Sequence, residues 1–580
     1  MRVSKLALAV LLSTTGLAAP CWALGQTAQA ASAAPAPAAS APTAATPSAS
    51  ATPNPPVHKH RYYRHRRRHT VPPATAATPG ALSGATPGST EAPPSGPVDT
   101  TPAPPPRPQT HKVLAPPANP PIVPAPTPAP LPTVQGPPHE TVQPQAVIPV
   151  VPAPPPAPGH AFLGHGLTPL GAIQAGNDEG SIPAWNGGLK SPPAGFVNGG
   201  EHPNPYADEK PLFAISSANM AQYAPRLSLG MQAMLKQYPG FRVDVYPSHR
   251  SAAMPQEILN AAMANARAAR LAPDGNSVLG ARLTIPFPVP QNGLEAIWNH
   301  LLRFRGYQAH FTSYAATPTT SGDYTLIKNE TKLLINYAVG GNSDSGPLLS
   351  FLVKTLAPPL YSGQLALAID HVDPSARPRD AWVYSPGESR VRRAPEVNFD
   401  TPLVQADSLV TDDDLDIFNG SPERYNWQLV GRREIYVPYN TYEFGSQKHD
   451  YSEILKPLFV NPDLLRWELH RVWVVDATLK PGKHHIYPHR TYYFDEDSWE
   501  GLLGEDYDRR GEIWRIAMGA PEEFYEVPAL TNSANLFFDL QARRYHIRGM
   551  RNKDSFIDFL GPRMKPSEFT ADALRDTGVR

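Results

Sequence analysis

Along residues 161–580 the apolar positions follow two periods in turn. Before Gly322 the repeat is helical. Leu229 to Leu235 reads as a short amphipathic piece. Pro255 to Arg270 opens with proline in its first turn and Glu257 near the positive end, and closes with Arg267 and Arg270, as the macrodipole favours. Gly293 to Phe304 places Leu294, Ile297, Trp298, Leu301 and Leu302 on one face at helical spacing, a face whose ordinary use is core packing. Ile285 to Pro290, proline at every second place, is extended.

After Gly322 the period becomes two. Predicted strands are Asp323 to Glu330, Lys332 to Ala338, Gln364 to Asp370, Arg379 to Ser385, Gln428 to Val437, Glu468 to Thr478, His485 to Asp495, Leu502 to Tyr507, Glu512 to Ala517 and Arg544 to Arg548. They are rich in Val, Ile, Tyr, Trp and Thr, and most are separated by turn residues, so an antiparallel meander is expected. Leu365, Leu367 and Ile369 alternate with Ala366, Ala368 and Asp370, and Trp382 shares a face with Tyr384. The expected sheet has an apolar, aromatic side and a polar side. A curved sheet of this size covers its apolar side with helices or leaves a cavity for something greasy. The fold class is therefore mainly β with helices (α+β).

Composition divides the chain. Of 72 prolines, 37 fall between Ala31 and His160 among Ala, Thr and Ser. Such a stretch cannot bury enough apolar surface to offset its ordering entropy, and it reads as an extended Ala/Pro-rich linker. Within it, residues 58–69 form a basic island, with Lys59, Arg61, Arg64, Arg66, Arg67 and Arg68 among four histidines. That charge suits an anionic envelope surface, contacted through Lys59 to Arg68. A solvated charge run is the plainer alternative. Nothing spaces those histidines for a metal.

Residues 1–30 have the layout of a secretory signal peptide: Arg2 and Lys5, an apolar run from Leu6 to Leu12, then small residues. Cleavage after Ala23 or after Ala30 fits, and either removes Cys21, the sole cysteine. Thiolate chemistry and disulfides are then excluded. Pro20 immediately before Cys21 argues against lipid attachment there. The body, 161–580, holds 41 Lys/Arg against 48 Asp/Glu, a sign that disfavours nucleic acid as a partner.

No strong catalytic motif is present. Gly341 to Gly346 lacks the spacing of a nucleophile elbow, and there is no His-Glu-x-x-His and no phosphate-binding glycine loop. Asp412, Asp413, Asp414 and Asp416 suggest calcium ligands, but Ile417 stands where an EF-hand loop needs glycine. Thr411 capping a short helix with acidic first-turn residues is the better reading. His484-His485 with His489 is the best metal candidate, His485 and His489 falling on one face of a predicted strand, although Lys483 and Arg490 beside them disfavour a cation. No catalytic residue, metal site or cofactor is assigned.

Several segments carry a resemblance: Leu167-Thr-Pro-Leu-Gly-Ala172, Gly180-Ser-Ile-Pro-Ala-Trp-Asn-Gly-Gly188, Asn204 to Phe213, Tyr246-Pro-Ser-His-Arg250, Gly293 to Arg303, Trp382-Val-Tyr-Ser-Pro-Gly387 with Arg390 to Pro395, and His470 to Lys480. In this succession, over about 165–550, the chain resembles the bacterial domain-of-unknown-function family thirteen twenty-nine, often labelled outer-membrane lipoprotein-sorting protein. The resemblance implies a fold similar to the periplasmic lipoprotein carriers LolA and LolB, a large curved antiparallel sheet forming an incomplete barrel, with helices over a concave apolar side that takes acyl chains. It also implies cooperation with exporters of the resistance-nodulation-division type. No catalytic residue comes with it.

The expectation is thus a periplasmic, non-enzymatic carrier or chaperone that delivers a lipid or acylated cargo toward the outer membrane. Its expected cavity walls are Trp298, Leu302, Trp382, Tyr384, Trp473, Val475 and Trp514, chosen for size and for lying on predicted elements, with Arg392 and Arg393 for an anionic headgroup. The alternatives are an envelope-tethered interaction module without a small ligand, and a metal-dependent envelope hydrolase using His485 and His489.

Overall fold

The computed structural model describes residues 162–340, 344–394, 400–553 and 557–579. The expected signal peptide, the proline tract and the basic island lie outside them. The strands are β1 (Phe213–Ile215), β2 (Val243–Val245), β3 (Arg270–Leu271), β4 (Val278–Leu279), β5 (Gln308–Ala316), β6 (Ile327–Leu334), β7 (Pro347–Ala357), β8 (Leu365–His371), β9 (Asp380–Ser385), β10 (Arg390–Arg393), β11 (Tyr425–Pro438), β12 (Trp467–Leu479), β13 (His489–Asp495), β14 (Gly501–Tyr507), β15 (Ile513–Phe524), β16 (Ala529–Asp539), β17 (Arg544–Met550) and β18 (Ile557–Asp558). The longer helices are α1 (Leu229–Gln237), α2 (Gln256–Ala268), α3 (Gly293–Leu302) and α4 (Ala571–Val579).

Sixteen strands form one sheet in the order β1-β2-β12-β13-β14-β15-β16-β17-β5-β6-β7-β8-β9-β10, with β11 also on β12 and β18 on β5. Neighbours are antiparallel except for a single parallel pairing of Trp467 with Val245. The two predicted segments from Asp323 to Ala338 are one strand, β6. Six strands of two to four residues and three longer ones, β5, β7 and β16, lie outside the predicted segments. Every side chain of β16, seven of nine in β5 and a run of six in β7 are buried on one face or the other, so no period of two shows in the longer three.

Burial on both faces is also where the sheet departs from the expected apolar side and polar side. On β12, Trp473 and Val475 enter one core while Val472 and Val474 enter a second. On β8, Ala366 and Ala368 join the first core, and Leu365 and Leu367 join a third under α4 with Phe569 and Leu574. The first core is the inner one. It is covered by α3 and by the segment 400–424, whose Leu403, Leu409, Val410, Ile417 and Phe418 pack with Trp298 and Trp473.

Local chemistry seats α3. The Asn292 side chain accepts from the Glu295 amide at 2.9 Å, satisfying an otherwise orphaned donor. Gly293 lies so close to β11 that a Cβ there would meet the Trp427 carbonyl carbon at 2.5 Å. Gly501 makes the matching room for the inserted segment, since a Cβ would sit 2.7 Å from Ile417 Cβ.

Ion pairs show how far the sheet is curled. Thr411 and Asp414 form a capping box around the turn Asp412–Asp414. Arg490 of β13 pairs with Asp413 at 2.8 Å, Asp414 at 2.5 Å and Asp506 of β14 at 2.6 Å. Arg379, beside β9, pairs with Asp412 at 3.4 Å and with Asp370 of β8 at 2.7 Å. In sheet order β9 is nine places from β13. In a flat sheet those strands would be on the order of 40 Å apart at about 4.8 Å per strand. Adjacent residues of one turn bridge them, so the sheet wraps around the turn as an incomplete barrel. Asp416 continues the set, pairing with Arg305 and, at 2.6 Å, with Arg303, which also holds Glu500 at 2.9 Å.

Burial sets the protonation of this interior. It pushes Asp506 up to about 8 and Glu500 and Asp370 up to about 7, against the pull of their arginines. Burial also opposes ionisation of Asp413, but Arg490 and His485 outweigh it and hold that carboxyl below the usual range. Burial, then Arg548, lowers His546 to about 3. Arg548 itself is enclosed, its three guanidinium nitrogens lacking a hydrogen-bond partner among the described residues, and burial lowers it to about 9.

Two expectations follow from the interior. Arg490→Met leaves three carboxylates without their shared cation and should cost about 3–5 kcal/mol, read as a lowered urea midpoint; an unchanged midpoint would show that the pairs do not hold the sheet. His546 is neutral in the folded chain, whereas the unfolded chain takes up its proton below about 6.5. The stability it contributes is complete above that value and is lost as pH falls toward 3. The stability gap between the parent and His546→Gln should therefore shift toward the variant by about 1.4 kcal/mol per pH unit between pH 6 and 4. A flat gap would show a histidine that charges in the folded state.

Candidate functional site

The residues expected to line one cavity occupy four places. Trp298, Leu302, Trp473 and Val475 come together in the inner core, where the Trp298 indole donates to the Gly275 carbonyl at 3.1 Å and Trp473 stacks on Trp499 at 5.6 Å. Trp382 and Tyr384 lie on the opposite face of β9, against α4; a Cβ on Gly578 would meet the Tyr384 ring at 2.6 Å. Trp514 stands at the start of β15, its indole donating to Asp539 at 3.0 Å and its ring under Arg515. Arg392 and Arg393, on β10, pair with Glu388 at 2.7 Å and Asp380 at 2.8 Å.

His485 and His489 do not share a strand. Pro488 lacks the ladder donor, so β13 begins at His489, and His485 lies before it with its ring 3.1 Å from Asp413. Among the described residues no group of three or more His, Cys, Asp or Glu side chains is placed to hold a metal ion.

An open space lies on the outer face of the sheet. Between β11 to β14 and the segment 221–232 is a cleft of about 840 Å³, within the range of small-molecule sites. Alternation decides which side chains reach it. Arg432 turns inward over the Trp473 ring at 3.9 Å, so Arg433 and Ile435 turn outward. A bulge between Leu429 and Gly431 brings Val430 to the same side. Val474, Asp476, Thr491 and Tyr493 follow from the register of β12 with β13.

The roof is tied to the floor through Glu505. Its carboxylate accepts from the Gly230 amide at 2.5 Å and from the hydroxyls of Tyr493 at 3.2 Å and Tyr507 at 3.0 Å. Burial raises its pKa. Ser228 caps α1 by accepting from the Met231 amide at 3.2 Å, which fixes where Leu227 and Leu229 enter the cleft. Leu227, Leu229, Val430, Ile435 and Val474 make the walls apolar.

The rest of the lining is polar. Asp476 accepts from the Thr491 hydroxyl at 2.7 Å and lies 3.7 Å from the His489 ring, which packs on Tyr507 at 4.5 Å. Burial works against its charge, but His489 and Thr491 outweigh it and hold the carboxyl below the usual range. Among the described residues the Arg433 guanidinium makes no hydrogen bond or ion pair, and its Nε is buried. Apolar walls beside a few fixed polar groups suit an amphiphile. Period-two reading could have placed Val474 and Tyr493 on a common face; the roof from 221–232 had no signal in the strands.

Comparison with known proteins gives a consistent family. The model of the family described as "Protein of unknown function (DUF1329)" matches residues 214–575. An uncharacterized protein of Pseudomonas aeruginosa, PA3922, is 42% identical over 424 residues, covering 72% of this chain and 93% of its own. Among solved structures, one from Vibrio parahaemolyticus described as "putative outer membrane lipoprotein-sorting protein domain" is 14% identical with a TM-score of 0.34, covering 49% of this chain and 98% of its own. A DUF1329 family protein from Desulfovibrio piger is 14% identical with a TM-score of 0.32, covering 46% of this chain and 92% of its own. With the family model spanning more than half of its length and a relative this similar, the chain belongs to the DUF1329 family.

Proposed function

We propose that the protein is a periplasmic, non-enzymatic carrier that binds a lipid or acylated molecule in the outer cleft and delivers it toward the outer membrane. The cleft carries the reading: about 840 Å³ of open space where apolar side chains stand beside polar ones, on a four-strand platform. The inner face, where Trp298, Leu302, Trp473 and Val475 lie, is filled by α3 and the segment 400–424. Burying each methylene contributes about 0.8 kcal/mol, so an acyl chain of a dozen carbons supplies useful affinity after association costs. None of the described helices is long and apolar enough to cross a membrane. In this reading the basic stretch from Lys59 to Arg68 meets an anionic envelope surface, and an exporter of the resistance-nodulation-division type supplies or receives the cargo.

The full chain purified natively from a periplasmic extract should yield a stoichiometric lipid or acylated peptide by organic extraction and mass spectrometry. Val430→Trp, which fills the cleft from a half-buried position, should weaken uptake of a fluorescent fatty acid by about tenfold or more with little change in urea midpoint. An empty extract with no fatty-acid uptake would sink the carrier reading in favour of a tethered interaction module.

A further inference from the structure

Arg433 is a cation without a counter-charge contact among the described residues, in a half-enclosed, mostly apolar place. Its neighbours have already used the nearby acids. Arg432 pairs inward with Glu496 at 3.1 Å, and Glu434 meets Arg471 at 3.5 Å. Within the cleft, Asp476 is occupied by Thr491 and His489 and attracts Arg433 only through space. A guanidinium presents five donors in a planar fork that matches two oxygens of a carboxylate or phosphate. Beside Val430, Ile435 and Val474 water can serve those donors only in part, and a buried guanidinium Nε without an acceptor costs stability.

We propose that the cleft's ligand carries an anionic headgroup, phosphate or carboxylate, bound by Arg433, with its acyl chain along the wall of Leu227, Val430 and Val474. This rests on the carrier reading and specifies its cargo class. The anion and the chain must be joined in one molecule, because the guanidinium and the apolar wall line the same cleft. A free anion gains only the first contact and a neutral lipid only the second.

The test is calorimetric titration of the full chain with decyl phosphate, decanoate, decanol and inorganic phosphate. Decyl phosphate or decanoate should bind at least about tenfold more tightly than decanol, the scale of one hydrogen-bonded charged group. Inorganic phosphate should not compete at matched concentration. Arg433→Gln should bring the anionic amphiphiles level with decanol, and Arg433→Lys should keep part of the preference. Equal binding of decanol and both anions by the parent, or a preference that survives Arg433→Gln, overturns the headgroup assignment and leaves the carrier reading standing. Inorganic phosphate binding as tightly as decyl phosphate overturns it in favour of a free-anion site. Binding of none of the three decyl compounds overturns both. The parent's own ranking decides the matter even if a variant folds poorly.

Discussion

Asp412, Asp413 and Asp414 hold arginines from strands nine places apart on a fourteen-strand path, Asp416 holds Arg303 and Arg305 from the end of α3, and the curled sheet brings them to one segment. A sheet twists on its own, but twist alone does not bring β9 and β13 to one turn. The desolvation of so many charges is costly. It is offset because nearly every carboxylate faces a guanidinium at hydrogen-bond distance and because burial leaves Asp506, Glu500 and Asp370 raised to about 7 or 8. Removing one partner exposes that cost, whereas the intact set fixes which strands face which.

The same insertion decides where a ligand can go. With Ile417 and Phe418 packed against Trp298, Tyr492 and the Gly501 gap, the concave side is a core. Open volume appears instead on the far side of β11 to β14, where the roof from 221–232 touches the strands through Glu505. The cleft thus combines a floor backed by the inner core with a roof held by the Glu505 contact and by burial of Leu227, Met231 and Leu235 in the second core. The strands present the polar groups, and Leu227 and Met231 of the covering segment pack into the second core with Ile435 and Val474.

Several features are legible in the local pattern of the chain. The period change after Gly322 marks the sheet, Asn292 and the spacing of Ile297, Trp298 and Leu301 mark α3, and Thr411 marks a capped acidic turn. What that turn does is hidden at this level, because charge on a short turn reads as surface when its partners lie tens of residues away. Arg490 reads only as positive charge beside His485 and His489 for the same reason. Trp382 and Tyr384 illustrate the opposite limit: their shared face is readable from alternation, but which of three cores that face meets is set by α4, from the far C-terminal end.

By itself, the sequence determined element type, the strand-rich body and family membership, because periodicity, caps and successions of motifs are local properties of the chain. Only the tertiary structure decided that both sheet faces are buried, that four aspartates gather arginines from distant parts of the chain, and that open space lies beside Arg433 and not around Trp473. Those outcomes depend on which distant segments compete for the same face, and that competition is settled by packing volume and charge pairing across the whole body.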